Sequence, residues 1–274
     1  MDLLNETKAI CKLNNIKPSR SRGQNFLIEE DIYNQIIESA DLREDDIVLE
    51  VGPGLGFLTA KLAVKAKKVI AVELDDKLVE VLKYRLEKQN IKNVEAINEN
   101  ILNFKSERNF KIVANLPYNI TSVFLRKFLS ESEIKPKLMV LMLQKEVAER
   151  ICAKAGQMSL LSVSVQSCAK PEILLTVSRK NFWPEPEVDS AIVKISPDSR
   201  NFFSDKINEK DFFRLVKSGF SAKRKMLKNN LASGFGISQA ESENRITSAG
   251  FNPKIRAQEL SVEDWEKLFV FFAK

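Results

Sequence analysis

The 274-residue chain contains no histidine. That absence removes the Ser-His and Cys-His nucleophilic pairs and most catalytic zinc sites, so any chemistry here must proceed without an imidazole base. Cysteine is scarce as well. Cys11, Cys152 and Cys168 are an odd number, lack the paired spacing of a zinc or redox motif, and read as reduced packing residues. Long hydrophobic runs are missing too: the longest, Leu138 to Leu143, falls far short of the roughly 20 residues of a membrane span. The opening Met1-Asp2-Leu3-Leu4-Asn5-Glu6 has neither the basic nor the apolar region of a secretory signal. There is no repeat and no low-complexity tract. The expectation is a cytoplasmic protein with no membrane span and no bound metal.

What is present is a composition that can fold and bind. Hydrophobic residues make up 44% of the chain, enough for a substantial core, and charged residues 29%. The formal net charge of +6 says less than its distribution. From Lys217 to Lys228 the sequence KSGFSAKRKMLK carries Lys217, Lys223, Arg224, Lys225 and Lys228 with no acid, and the N-terminal arm, residues 1–23, adds Lys8, Lys12, Lys17, Arg20 and Arg22 against Asp2 and Glu6. The two clusters form one polyanion-binding face if the fold brings them together.

From Ile47 onward, short β-branched or apolar runs alternate with longer amphipathic stretches. Ile47 to Val51 reads as a buried strand, and Val69 to Val72, Val94 to Ile97, Lys111 to Ala114 and Leu138 to Leu143 as further strands. Helices are expected from Leu58 to Val64, Lys77 to Lys88 and around Ser122 to Leu129, with another beginning near Lys145. Such alternation implies an α/β fold with a mostly parallel sheet covered on both faces. Ile173 to Val177 and Ala191 to Ile195 read as a closing pair of strands. After Ser196-Pro197-Asp198-Ser199 the character changes: Asp211 to Gly219, Ala222 to Ala232, Gln239 to Ala249 and Val262 to Phe272 read as helices punctuated by Gly234, Gly236, Gly250 and Pro253. The division is therefore 1–199 for the α/β domain and 200–274 for a small all-helical one.

The strand ending at Val51 runs into Gly52-Pro53-Gly54-Leu55-Gly56. Glycines at such a turn let the backbone bend sharply and let a ligand lie against it. Glu73 follows the second strand, where a carboxylate can accept both hydroxyl hydrogens of a ribose. Together they indicate a nucleoside-containing cofactor. Phe57, three positions after Gly54, obstructs the close helix–strand packing of the dinucleotide fingerprint, which argues against a nicotinamide dinucleotide.

The fourth strand ends in Asn115-Leu116-Pro117-Tyr118, which should face the same crevice as Gly52. The tetrapeptide suits an exocyclic amine such as adenine N6, whose lone pair is delocalised into the ring. An Asn oxygen and a backbone carbonyl can accept its two N–H hydrogens and favour the pyramidal amine that the transition state needs. Pro117 removes a competing donor and fixes φ, and Tyr118 offers a face for a base taken out of its stack.

With these motifs the chain resembles the small-subunit ribosomal RNA adenine dimethyltransferases over nearly its whole length. Gln24-Asn25-Phe26-Leu27 is similar to their N-terminal cofactor motif, Glu50 to Gly56 to the glycine motif, Glu73 to the ribose carboxylate, and Asn115 to Ile120 to the target-amine motif. Phe182 to Ser190 resembles the aromatic-proline loop beside the target base, and Phe220 to Leu231 the basic helix of the C-terminal domain. The resemblance implies a Rossmann-like, S-adenosylmethionine-dependent methyltransferase. Asn25, Leu27, Gly52, Glu73, Asn100 and Asn115 would bind the cofactor; Asn115, Pro117 and Tyr118 would carry the catalysis, with the flipped adenine received by Tyr118 and Phe182. It further implies N6,N6-dimethylation of two adjacent adenines near the 3′ end of 16S ribosomal RNA, a pre-30S particle as partner, and a monomer. One departure stands out. The family usually places an Asp after the third strand for the cofactor's adenine amino group. Here Asn100 aligns with it, without charge assistance, and Glu99 is the alternative if the loop register differs. Two rival readings remain: an RNA-binding assembly factor that has lost efficient catalysis, and, more distantly, a nicotinamide dehydrogenase.

Overall fold

The computed structural model describes residues 2–19, 23–106, 108–198, 202–203 and 207–273. Arg20 and Arg22 of the basic arm lie outside them, as does the 199–200 boundary drawn from sequence. The chain forms two compact units, Met1–Ala148 with Pro171–Pro197, and Glu149–Lys170 with Asp198–Lys274. In chain order the elements are α1 (Leu3–Leu13), β1 (Phe26–Leu27), α2 (Glu30–Ser39), β2 (Ile47–Val51), α3 (Phe57–Lys65), β3 (Lys68–Glu73), α4 (Asp76–Lys88), β4 (Val94–Asn98) and β5 (Lys111–Asn115). They continue with α5 (Thr121–Arg126), β6 (Met139–Gln144), α6 (Lys145–Ile151), α7 (Leu160–Gln166), β7 (Ala169–Val177), β8 (Phe182–Trp183) and β9 (Ser190–Pro197). Four helices follow: α8 (Glu209–Gly219), α9 (Leu227–Phe235), α10 (Gln239–Ser248) and α11 (Val262–Phe272).

The main sheet has the order β4-β3-β2-β5-β6-β9-β7. Strands β4, β3, β2, β5 and β6 run parallel, and β9 pairs antiparallel with β6. Their burial explains the near-continuous apolar runs: Val48, Val69, Val113 and Val140 are each fully buried, sharing one cluster with Ile36 and Leu62 from α2 and α3. The architecture is the Rossmann-like α/β fold expected. Connections leave β2 towards β3 on one side, while β5 lies on its other side, so a topological switch point falls between β2 and β5.

The N-terminal arm is partly a helix. Asp2 caps α1 by accepting from Asn5 N, Cys11 is buried against Leu55, Leu78 and Val81, and Glu6 pairs with Arg85 at 3.1 Å. Burial pushes the Cys11 thiol up to about 11, in keeping with an inert packing cysteine.

In the second unit α8, α9, α10 and α11 enclose Trp265, Phe212, Leu215, Leu231 and Ile246, all fully buried. Met158 and Val163 belong to the same cluster, and Gly156 N and Met158 N both donate to Gln258 O. These contacts group residues 149–170 with the helices that follow residue 198, where the sequence division used a single cut near 200. The basic segment also departs from expectation: a helix was expected from Ala222, but α9 begins only at Leu227. Asn230, 3% exposed, donates from Nδ2 to Gly219 O at 2.6 Å and Ala222 O at 3.1 Å, and Leu227 N is taken by Ile255 O. Lys223, Arg224 and Lys225 therefore stand on an exposed turn ahead of the helix. Among the described residues no helix is long and apolar enough to cross a membrane, and no cluster of His, Cys, Asp and Glu suits a metal ion.

Candidate active site

A crevice opens at the carboxyl ends of the parallel strands of the first unit, over the switch point. Asn25, Leu27, Gly52, Glu73, Asn100, Asn115 and Pro117 all line it. A second cleft is lined by Tyr118, Asn119, Gln144 and the segment Glu185 to Val188, and it shares Gly23, Asn25 and Asn119 with the first. The two clefts are thus neighbours, and Tyr118 belongs to the second.

The pairing of β2 with β5 sets this arrangement. Glu50 faces Val113 in register, so two residues on, Gly52 falls beside Asn115. Gly52 takes φ +64°, and a Cβ there would meet Pro117 Cδ at 3.7 Å; one at Gly23 would meet Pro117 Cβ at 3.4 Å. Pro117 is thus clasped between two glycines from separate motifs.

Glu73 serves the turn as well as facing the crevice. Its Oε1 accepts from Leu74 N at 2.9 Å and Asp75 N at 3.1 Å, and its Oε2 accepts a long bond of 3.3 Å from Gly54 N. Burial raises its pKa, and these backbone donors oppose the rise. Asn98 ties the same corner by donating to Glu73 O at 3.1 Å. Asn100 Oδ1 accepts from Leu102 N at 3.0 Å, which turns the chain after β4, and Glu99 lines the crevice beside it. Both alternatives for the missing Asp therefore face the crevice.

Asn115 Nδ2 donates to Asn25 O at 3.4 Å. That contact orients the amide with its nitrogen committed, leaving Oδ1 as an acceptor. Tyr118 opens a short 3₁₀ turn, Tyr118–Ile120, in which Pro117 O accepts from Ile120 N at 3.2 Å. Its hydroxyl lies 2.6 Å from Ser190 Oγ.

The structure corrects one expectation. Phe182 is 3% exposed and packs in the core cluster with Leu27, Ile32 and Tyr33, so it offers no face to a flipped base. The reason is local pairing: β1 and β8 form a two-stranded ladder in which Leu27 faces Phe182 and Phe26 faces Trp183, turning Phe182 inward. The later residues of its motif, Glu185 to Val188, line the second cleft instead. Arg179 holds that segment, pairing with Glu185 at 2.9 Å and donating to Glu187 O at 3.2 Å.

Other contributions were not assigned from sequence. Gln24 Oε1 accepts from Ser19 N at 2.8 Å and its Nε2 donates to Asp75 at 3.1 Å, strapping the segment ahead of β1 onto the end of β3. Gln144 sits at the carboxyl end of β6, the strand end from which such clefts draw ligand contacts, and Ser190 stands behind Tyr118.

Glu50 lies beneath the glycine turn at 1% exposure, and its Oε2 and the neighbouring Thr59 Oγ1 have no hydrogen-bond partner. Burial pushes its pKa up to about 8, and the Glu73 charge raises it further. An orphaned carboxyl oxygen lining the crevice, a turn of glycines at positive φ and the Glu73 carboxylate fit a cofactor with a donor-rich amino-acid end and a ribose, as S-adenosylmethionine has. The folded chain keeps the Glu50 proton where an unfolded chain, with the ordinary value of 4.5, has released it. Its contribution to stability therefore declines as pH rises from about 4.5 to about 8. Glu50→Gln should gain stability relative to the unaltered protein across that window, as measured by urea unfolding at several pH values. A pH-independent difference would contradict the assignment.

The family described as ribosomal RNA adenine dimethylase matches residues 15–274. A protein of Dehalococcoides mccartyi (strain CBDB1) named "Ribosomal RNA small subunit methyltransferase A" is 43% identical, covering 99% of this chain and 94% of its own length. One of the same name from Enterococcus faecalis is 37% identical, covering 96% and 92%. Among solved structures, a dimethyladenosine transferase from Plasmodium falciparum superposes with a TM-score of 0.76 at 30% identity, covering 89% of this chain and 96% of that one. The 23S rRNA methyltransferase ErmE superposes with 0.75 at 26% identity, covering 91% and 100%. The chain belongs to the ribosomal RNA adenine dimethylase family and is an S-adenosylmethionine-dependent methyltransferase.

Proposed function

We propose that the protein dimethylates N6 of two adjacent adenines near the 3′ end of 16S ribosomal RNA, acting in the cytoplasm as a monomer on a pre-30S particle. The observation that carries the reading is the adjacency of the two clefts across Asn25 and Asn119, with the Asn115 amide oriented by Asn25. The names of the relatives from Dehalococcoides and Enterococcus support small-subunit RNA as the substrate class.

The cofactor residues have separate tasks in this reading. Glu73 takes the ribose hydroxyls with the lone pairs its backbone donors leave free, Gly52 admits the cofactor close to the backbone, and Asn25 and Leu27 cover the methionine end. Asn100 or Glu99 accepts from the adenine amino group. Bound there, S-adenosylmethionine supplies a methyl group on a cationic sulfur, already activated for transfer. The chain's own work is then positional. Asn115 Oδ1 accepts one N6 hydrogen and opposes delocalisation of the lone pair into the ring. Pro117, held between Gly23 and Gly52, fixes the backbone that presents the second acceptor. Holding nitrogen and methyl in line can account for as much as about 7–11 kcal/mol of the barrier. The amine becomes cationic on transfer and releases its proton to water, so the missing histidines cost nothing. Phosphate contacts fall to the exposed Lys223, Arg224 and Lys225 of the second unit and to Lys8, Lys12 and Lys17 of the first.

The decisive experiment is transfer of labelled methyl from S-adenosylmethionine to small ribosomal subunits lacking the modification, followed by digestion to nucleosides. Labelled dimethyladenosine from small subunits, with large subunits unlabelled, is the expected result. Label in large subunits alone would move the assignment to large-subunit RNA, and no label together with no cofactor binding would favour the assembly-factor reading. Asn115→Ala should cut kcat by about 100- to 1,000-fold, the range for removing one preorganised group, with the melting temperature retained; near-normal turnover would refute its role. Binding to subunit RNA should weaken with salt, and replacing Lys223, Arg224 and Lys225 by Ala should lower the slope of log K against log[salt] by roughly one per residue. An unchanged slope would remove the turn from the RNA interface.

A further inference from the structure

Ser190 ends the aromatic-proline motif, and methyl transfer as described above gives it no task. It opens β9, pairs in register with Gln144 of β6, and is 0% exposed. A serine fully buried at the head of a strand, followed by the buried apolar residues Ala191 and Ile192, needs a hydrogen-bond partner to offset its desolvation. It has one: its Oγ lies 2.6 Å from the hydroxyl of Tyr118, 72 residues earlier in the chain. The short separation is that of a strong O–H···O bond, in which either hydroxyl can be the donor.

Tyr118 lines the second cleft, as does Gln144, while Ser190, the strand partner of Gln144, is buried behind that wall. The backbone of Tyr118 is held by its 3₁₀ turn, which runs directly into α5, and by Thr121 Oγ1, which donates to Tyr118 O at 3.2 Å. What fixes the ring's far end is β9, the sheet strand that carries Ser190. Burial also raises the Tyr118 pKa, against the lowering effect of the Ser190 bond, so the phenol stays neutral at working pH. A neutral hydroxyl already bonded to serine is a poor acid or base, which leaves the ring as the part of Tyr118 that serves the cleft.

We propose that Ser190 is a positioning residue: its hydroxyl anchors Tyr118 so that the ring stands as a fixed stacking wall for the extruded adenine. The proposal rests on the methyl-transfer reading above. RNA affinity resides in the basic segments, so a loosened wall lowers the fraction of bound complexes with the base correctly stacked. It therefore acts on kcat and spares the RNA KM.

The test is a double-mutant cycle with Ser190→Ala and Tyr118→Phe, using unmodified small subunits and S-adenosylmethionine. Each single variant deletes one side of the same bond and should lower kcat by about three- to tenfold, the range for one intramolecular hydrogen bond. The RNA KM and the cofactor Kd should be unchanged. The double variant should be no slower than the slower single variant, to within about twofold. Multiplying losses would overturn the proposal, since a merely structural role for Ser190 persists when the Tyr118 hydroxyl is already gone. A lowered melting temperature in Ser190→Ala with kcat intact would overturn it as well. If the unaltered enzyme transfers no methyl to small subunits, the reading beneath the proposal fails; if it does and the losses multiply, only the role of Ser190 fails.

Discussion

The parallel register between β2 and β5 is the constraint on which the site depends. Pairing Glu50 with Val113 carries Gly52 to the side of Asn115, so the turn proposed to admit the cofactor and the side chain proposed to receive the amine are adjacent by sheet geometry. No loop conformation has to be found for this, since the spacing between paired strands is fixed at about 4.8 Å. The loops then add precision. Pro117 sits against Gly23 and Gly52, both of which take a positive φ that side chains rarely adopt. Gln24 ties that N-terminal loop to Asp75, and Asn25 O receives the Asn115 amide. Three stretches of chain far apart in sequence thereby converge at one crevice. A shift of one residue in the β2–β5 register would separate them all.

A site without histidine needs its electrostatics from groups that are fixed rather than titrating during turnover. Glu73 is such a group: three backbone N–H donors hold its carboxylate at the end of β3 despite burial. Glu50 is the opposite case, a carboxyl with one oxygen lacking any partner and a proton held up to about pH 8. Burying a polar group without a partner costs on the order of 1–3 kcal/mol. The acceptor groups at the amine, Asn115 and the backbone around Pro117, carry no net charge. They favour the reacting amine without binding a cation tightly beforehand, which suits a nitrogen that becomes positive only as the methyl arrives.

Much of this was legible in the sequence, for reasons that can be stated. The central parallel strands were readable because they are buried on both faces, leaving unbroken runs such as Leu138 to Leu143. The cofactor crevice was readable because a turn at positive φ demands glycine and a ribose demands an acceptor at a strand end. Phe182 was misplaced because a motif gives order along the chain and says nothing of side-chain facing. The two-residue ladder between β1 and β8 decides that, and it pairs segments about 155 positions apart. Ala222 to Met226 was assigned to a helix because Ala, Lys, Arg and Met are good helix formers. The tertiary claim of Asn230 on Gly219 O and Ala222 O outweighs that propensity. Helix α7 was unassigned because its seven residues, LLSVSVQ, are too few to establish a period, although Ser159 and Ser162 form a capping box that marks its start. Residues 149–170 joined the helical unit through Met158, Val163 and two bonds to Gln258 O, long-range contacts that no local pattern encodes.

The choice of RNA cannot lie in the sheet, because a dimethyladenosine transferase and a 23S rRNA methyltransferase superpose on this chain equally well. It has to come from parts that the shared fold leaves free to vary. The wall of the second cleft is one. Glu185 to Val188 form an exposed segment, yet it is pinned by Arg179 through Glu185 and the Glu187 carbonyl, while Asp189 accepts from Arg179 N and its own carbonyl takes Lys145 N. A segment held at so many points keeps its shape before RNA arrives, and pays little ordering entropy on binding. Glu185 is paired with Arg179, and Glu187 stands exposed beside it.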